Sequence, residues 1–238
     1  MAWGDGMGGV LITRPEPGAS QTARKVAELG LTPIVAPVLA ITPTGQPVEV
    51  PAACVATVLT SGNAAPACPP ACHANPAFAV GSATARRARE AGFTRVVDAD
   101  ADAAALPDLI AATIGARGQT LFLPVGRGQG APLSMALRDR GWRVVRRVAY
   151  QADGVATLPE AAVLALHRRT VRFALFFSAE TARQFIRLVR KAGVAETLST
   201  VEAVSISERT AMALRRLPWR RVRTALRPNQ DAMLELLR

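Results

Sequence analysis

The chain has 238 residues, 50% of them apolar, and 29 lysines and arginines against 18 acidic residues give a formal charge of +11. That length suits one large or two smaller domains, and no segment approaches the roughly 20 unbroken apolar residues of a membrane span. Only 5% of residues are aromatic, which removes the stacking platforms of single-strand binding, so neither nucleic acid nor a membrane is an expected partner.

The positive charge is almost all arginine, since lysine occurs only at Lys25 and Lys191. Such a balance suits acidic small molecules as well as larger polyanions. The first residues, Met1 to Gly9, hold neither a basic n-region nor an apolar core of signal-peptide length. The expected location is the cytoplasm.

In chain order, Val10–Thr13 is predicted as a strand, Ser20–Leu29 as a helix closed by Gly30, and Thr32–Ala40 as extended. After a Pro/Gly-rich passage, strands at Cys54–Thr60, Phe78–Val80 and Arg95–Val97 alternate with helices at Thr84–Ala91 and Ala103–Ile114. Thr120–Val125 restarts the pattern, followed by a helix from Pro132 to Arg140 and a strand from Arg143 to Gln151. A helix near 160–169 leads to strands Phe173–Phe177, Val201–Ile206 and Val222–Ala225, with helices Thr181–Lys191, Thr210–Arg216 and Gln230–Leu237. Alternating units with β-branched strands predict an α/β fold of parallel sheets covered by helices.

The pattern repeats. Cys54–Ser61 followed by Phe78–Ala85 matches Phe173–Ser178 followed by Ala203–Ala211, and each copy is accompanied by a strand–helix–Gly–strand unit, Val10–Ile41 and Thr120–Gln151. In each copy apolar runs end in a small hydroxyl residue or glycine where the chain turns. Such ends leave backbone N–H donors unpaired and attract anions. In open α/β sheets ligands bind beyond the carboxyl ends of the strands, which makes Ser61, Gly81, Ser82, Thr84, Ser178, Ser207 and Thr210 candidate binding residues. Arg14, directly after the first strand, is placed to grip a carboxylate.

Other signals read as structure. Gly126-Arg-Gly-Gln-Gly130 is neither a dinucleotide fingerprint nor a Walker loop and is expected to be a flexible strand-to-helix turn. Cys68-Pro-Pro-Ala-Cys72-His73 lacks a fourth zinc ligand, so the Gly62–Pro76 stretch is expected to be a surface loop with incidental thiols. Asp98, Asp100 and Asp102 lack the glycine and glutamate of a calcium loop and read as a solvated helix start. The arginines at 215, 216, 220, 221 and 223 read as a solvated edge. Tyr150, the only tyrosine, is a packing residue or a proton donor.

Taken in order, Leu11-Ile-Thr-Arg14-Pro15, Pro33-Ile-Val-Ala-Pro37, Leu59-Thr-Ser61, Ala79-Val-Gly81-Ser-Ala-Thr84-Ala, Ala136-Leu-Arg-Asp-Arg-Gly141, Val148-Ala-Tyr150-Gln, Phe176-Phe-Ser178, Ser205-Ile-Ser-Glu-Arg-Thr210-Ala and Ala225-Leu-Arg-Pro228 resemble the uroporphyrinogen-III synthase family. The resemblance implies two Rossmann/flavodoxin-like parallel-sheet lobes joined by a two-stranded antiparallel linker, with a cleft between them. One lobe would comprise residues 1–38 plus 156–238 and the other 42–148, with linkers near 38–42 and 149–156. It implies cofactor-free, metal-free cyclisation of hydroxymethylbilane with inversion of ring D and loss of water. Tyr150 would be the candidate general acid, and Arg14, Ser61, Gly81, Ser82, Thr84, Gly126, Ser178, Ser207 and Thr210 would hold substrate. It further implies a monomer that makes transient contact with hydroxymethylbilane synthase. The rivals are a non-catalytic two-lobed binding protein for an anionic metabolite and a nucleotide-dependent enzyme, which would need a phosphate loop.

Overall fold

A computed structural model describes residues 8–45, 48–99, 106–115 and 118–238. Asp100 and Asp102 and the start of the chain before Gly8 lie outside them. The chain divides into two compact units, one of residues Met1–Ala40 with Asp153–Arg238, the other of Ile41–Ala152.

The discontinuous unit is built on β1 (Gly9–Ile12), β2 (Thr32–Val35), β9 (Val171–Phe176), β10 (Glu202–Ser205) and β11 (Arg221–Thr224). Their order across the sheet is β11-β10-β9-β1-β2, and every pairing is parallel. Renumbered within the unit this is the 2-1-3-4-5 order of doubly wound sheets, with its switch point between β1 and β9. Successive residues of a strand face opposite sides. Val10, Ile12, Phe173 and Leu175 therefore meet α1 (Gly18–Glu28) and α8 (Gln230–Glu235). On the other side Phe176 packs edge-on against Phe185 of α6 (Ala179–Lys191) and against Trp219, ring centroids 5.2 and 5.6 Å apart. The remaining helices are α5 (Glu160–His167), which leads into β9, and α7 (Glu208–Leu214), between β10 and β11.

The continuous unit holds β3 (Leu39–Pro43), β4 (Cys54–Leu59), β5 (Ala77–Ala79), β6 (Val96–Asp98), β7 (Thr120–Gly126) and β8 (Arg143–Gly154), in the order β3-β8-β7-β4-β5-β6. β4 to β8 are parallel, and the chain passes between the units only within β3 and β8, neighbours in this sheet. One face is covered by α3 (Leu106–Ile114) and α4 (Ala131–Asp139), burying Leu121, Leu123 and Val125. The other carries Phe122 and Tyr150 against α2 (Ser82–Glu90) and the 62–76 segment.

Both sheets follow one plan. The pair β7-α4-β8 stands beside β4, β5 and β6 as β1-α1-β2 stands beside β9, β10 and β11. The continuous sheet joins pieces consecutive in the chain, whereas the discontinuous one joins β1-α1-β2 to a three-strand piece far along it. The one substitution is between β4 and β5, where two short 3-10 turns, Ala65–Ala67 and Pro70–Cys72, stand in place of the long helix α6.

That segment departs from the surface loop expected of it. Its alanines and cysteines recur at three- and four-residue spacing, and Ala64, Ala65, Cys68 and Cys72 are buried together with Cys54. All three cysteines are free. Among the described residues no group of three His, Cys, Asp or Glu is arranged to hold a metal ion, and no helix is long and apolar enough to cross a membrane.

Candidate functional site

Strands that run parallel end on one edge, and in each unit the candidate residues cluster there. In the continuous unit β4 stops at Leu59, and the chain turns through Ser61, whose Oγ accepts the Asn63 N–H at 3.3 Å. No α-helix follows Ser61, so it is not the helix cap its repeat partner is. After β5, Gly81 opens α2 at φ 77°, a backbone conformation that favours glycine. Its carbonyl accepts the N–H groups of Thr84 and Ala85, each at 3.1 Å. Ser82 is exposed, whereas Thr84 is 8% exposed.

Gly126 ends β7 in register with Tyr150 on β8. Tyr150 is 4% exposed and belongs to the buried cluster that holds Leu59, Ala64 and Phe122. The phenol donates to Gln129 Oε1 at 3.1 Å. A Cβ on Gly126 would stand 2.9 Å from two carbons of the Tyr150 ring and 3.0 Å from Gln129 Cδ. Glycine at this position is what lets the phenol and the amide close over the strand end. The Gly126–Gly130 turn is thus tied to Tyr150 rather than simply flexible. It is drawn in by Gln129 N–H to Gly126 carbonyl at 3.0 Å, and Gly128 and Gly130 adopt positive φ.

Arg87, from α2, reaches the same edge. Its stem crosses Gly62, where an added Cβ would come within 2.7 Å of it, and its guanidinium donates to Asn63 Oδ1. Burial pulls its pKa below the ordinary arginine value, with Glu90 and Tyr150 acting in the opposite sense.

The discontinuous unit has a counterpart in Arg14. The guanidinium donates to Gln230 Oε1 at 3.0 Å and Thr22 Oγ1 at 3.4 Å, and lies 4.2 Å from the centroid of the Phe177 ring. Gly18 makes room for it, since a Cβ there would fall 2.5 Å from Arg14 Nε. Burial lowers this pKa too, Glu16 partly opposing. Ser178 caps α6, accepting Thr181 N–H at 3.1 Å, with the two hydroxyls 2.8 Å apart. Ser207 opens α7 through its carbonyl, which takes the N–H groups of Thr210 and Ala211 at 3.0 Å, and its hydroxyl is 3.2 Å from that of Thr210.

Each edge therefore offers a desolvated guanidinium held by a neutral amide, together with helix N-termini whose first N–H groups have no intrahelical partner. Such a set suits carboxylates, which arginine grips in bidentate geometry.

A profile of uroporphyrinogen-III synthase HemD matches residues 20–235. The chain belongs to the uroporphyrinogen-III synthase family. Among solved structures it is similar to uroporphyrinogen-III synthetase from Helicobacter pylori 26695, at 17% identity and a TM-score of 0.61 over 97% of this chain and 98% of that one. It is also similar to a mutant uroporphyrinogen III synthase from Thermus thermophilus, at 22% identity and a TM-score of 0.48 over 95% and 96% of the two chains. No curated protein matches. The first likeness bears on the fold, an α/β architecture of two predominantly parallel sheets.

For a uroporphyrinogen-III synthase, the sequence-predicted residues fall into two groups. Ser61, Gly81, Ser82, Thr84, Gly126 and Tyr150 belong to the continuous unit, and Arg14, Ser178, Ser207 and Thr210 to the other. Arg14 and Ser178 follow β1 and β9, Ser61 follows β4 and Gly126 ends β7, the strand pairs at the two switch points.

Sequence reasoning missed three residues. Thr181 stands at the third helical position of α6, as Thr84 and Thr210 do in their helices, and the shared spacing Ser178-x-x-Thr181 and Ser207-x-x-Thr210 would have found it. Gln129 had no signal beyond its place in a glycine-rich turn. Arg87 lies three residues after Thr84 and so shares its side of the helix.

Proposed function

We propose that this chain cyclises hydroxymethylbilane, inverting ring D and releasing water to give uroporphyrinogen III, a lyase reaction of tetrapyrrole biosynthesis. The observation that carries the reading, beside family membership, is that the half-buried Arg87 and the buried phenol of Tyr150 lie on one face of the continuous unit's sheet, at its strand ends. The substrate bears an acetate and a propionate on each ring, so a donor at a strand edge has several carboxylates to take.

The reaction begins when the C–O bond of the terminal hydroxymethyl group breaks. Tyr150 gives its proton to the departing oxygen, which leaves as water, and an azafulvene cation remains. The substituted carbon of the last ring attacks that cation to form a spiro intermediate, which fragments and recloses in the inverted sense. The closing carbon then loses a proton that restores the phenol, so the sequence needs no co-reactant. Phenols have a pKa near 10, so Tyr150 assists departure. The larger contribution is holding the chain so that the substituted carbon is nearest the cation.

Incubation with hydroxymethylbilane, followed by oxidation and separation of the isomers, tests the reading. Type III in excess of type I is the expected product. Type I alone, the product of uncatalysed closure, would overturn it.

A further inference from the structure

We propose that Arg87 is a substrate-carboxylate ligand at the strand ends of the continuous unit, held ready over Gly62 by Asn63 on the face of the sheet that carries Tyr150. The proposal rests on the reading of the chain as a cyclising enzyme of an acidic linear tetrapyrrole.

Four observations converge on this residue. Its stem is pressed onto Gly62, and any side chain there would displace it, so the direction of the guanidinium is fixed by the backbone of the strand-end turn. Its hydrogen-bond acceptor is the neutral amide oxygen of Asn63, and among the described residues it forms no ion pair. Glu90, on the same helix, pairs instead with Arg86, at 3.6 Å and with both partners largely exposed. Arg87 itself is half-buried, and burial disfavours its charged form.

A partly desolvated cation on a neutral partner gains when a carboxylate replaces that partner, because the new hydrogen bonds are charge-assisted on both sides. Asn63 can release the guanidinium cheaply, since it is itself only half-buried and water can take over its amide oxygen. Arg14 shows the same arrangement in the other unit, with Gln230 in the part of Asn63. The neighbouring arginines of α2 do not share this arrangement, since Arg86 and Arg89 are exposed.

The position also fits the chemistry. Arg87 and its partner Asn63 are the chain neighbours of Ala88 and Ala64, which share a buried cluster with Tyr150. A carboxylate bound there would tether a pyrrole ring within reach of the phenol. A ligand of this kind acts on ground and transition states alike, and its loss raises KM while leaving kcat nearly as it was.

The test compares wild type, Arg87→Gln and Arg87→Lys in steady-state formation of uroporphyrinogen III, with thermal melting as the control for folding. KM should rise roughly tenfold in R87Q, the factor that follows from losing one charge-assisted hydrogen-bonded contact, with kcat within about threefold. R87K keeps the charge without the planar fork and should fall between the two. The dependence of KM on potassium chloride should be shallower in R87Q than in wild type. Should R87Q melt far below wild type, R87K carries the test alone, and an unchanged KM there overturns the proposal. An unchanged KM in R87Q, or a loss confined to kcat, also overturns it, while type I product alone from the wild-type protein overturns the functional reading instead.

Discussion

Replacing Gly126 by alanine should slow cyclisation by displacing a phenol rather than by removing one. Gly126 is not among the glycines of positive φ, so the backbone accepts alanine and the whole effect comes from the methyl. That methyl would stand 2.9 Å from two carbons of the Tyr150 ring, whereas carbon atoms rest at about 3.5–4.0 Å. The ring must yield by roughly 0.6–1 Å to restore contact distance. It has little space to do so, being 4% exposed among Leu59, Ala64 and Phe122.

Overpacking of this kind costs about 1–3 kcal/mol, which for a chain of this length lowers the melting temperature by roughly 2–12 °C. A displacement near 1 Å at a reacting group costs up to about 100-fold in rate, so type III formation should fall by about 10- to 100-fold. Isomer separation after oxidation reads the activity and calorimetry reads the stability. A Tyr150→Phe background separates the two effects. It retains both crowded ring carbons, so the stability cost persists, but without the hydroxyl the activity cost of Gly126→Ala should vanish. Full type III activity in Gly126→Ala at reduced stability would refute the positioning role. So would an activity loss of the same size in the Tyr150→Phe background.

Tyr150→Phe alone should leave the fold intact. The bond it loses, to exposed Gln129, is worth about 1 kcal/mol, and type III formation should fall by at least about tenfold, within the range of a general acid's contribution; unchanged turnover removes Tyr150 from the reaction. Ser178→Ala deletes the acceptor of the Thr181 N–H at the start of α6 and should cost about 1 kcal/mol, read from the denaturant midpoint at constant m-value. A stability unchanged within error would mean that Thr181 or water takes over the cap. Burial raises the Cys54 thiol above the ordinary range. Its contribution to stability is therefore complete below the pKa of an unfolded thiol, about 8.5, and is lost as pH rises above it, because the unfolded chain then binds fewer protons than the native one. Stability should decline above that pH by at most about 1.4 kcal/mol per pH unit per thiol, and Cys54→Ser should flatten the decline; equal slopes in the two proteins would refute the assignment.

Much of this was legible before any coordinates, for a reason visible in particular residues. Val10 to Ile12 and Phe173 to Phe176 are short apolar runs followed at once by polar residues, and the strands β1 and β9 occupy them with ends shifted by one or two residues. Glycine after a helix and a hydroxyl before one placed most of the helix boundaries just as closely. What composition concealed was burial in segments of small residues. The 62–76 segment is rich in alanine and proline and reads as surface, yet it takes the place of a helix in the repeat and carries buried cysteines against the sheet. Among Arg86, Arg87 and Arg89, composition cannot choose. Only the helical register set by buried Thr84, Ala85 and Ala88 turns Arg87 toward the strand ends.

The assembly of the discontinuous unit's sheet from pieces far apart in the chain bears on how the protein emerges from the ribosome. The continuous unit is complete once residue 152 has been made. β1 must wait for β9, and the bond from Thr13 to the Leu175 carbonyl closes a separation of 162 residues. At about 5–20 residues per second, that wait lasts roughly 8–32 s of synthesis. Throughout it Gly9–Ile12, wholly buried in the finished sheet, is an apolar strand without its β9 neighbour, the kind of segment that seeks out wrong edges. β1 is thus made before every other strand described yet is among the last to reach its native place, and chaperone demand should track the time between the synthesis of β1 and that of β9.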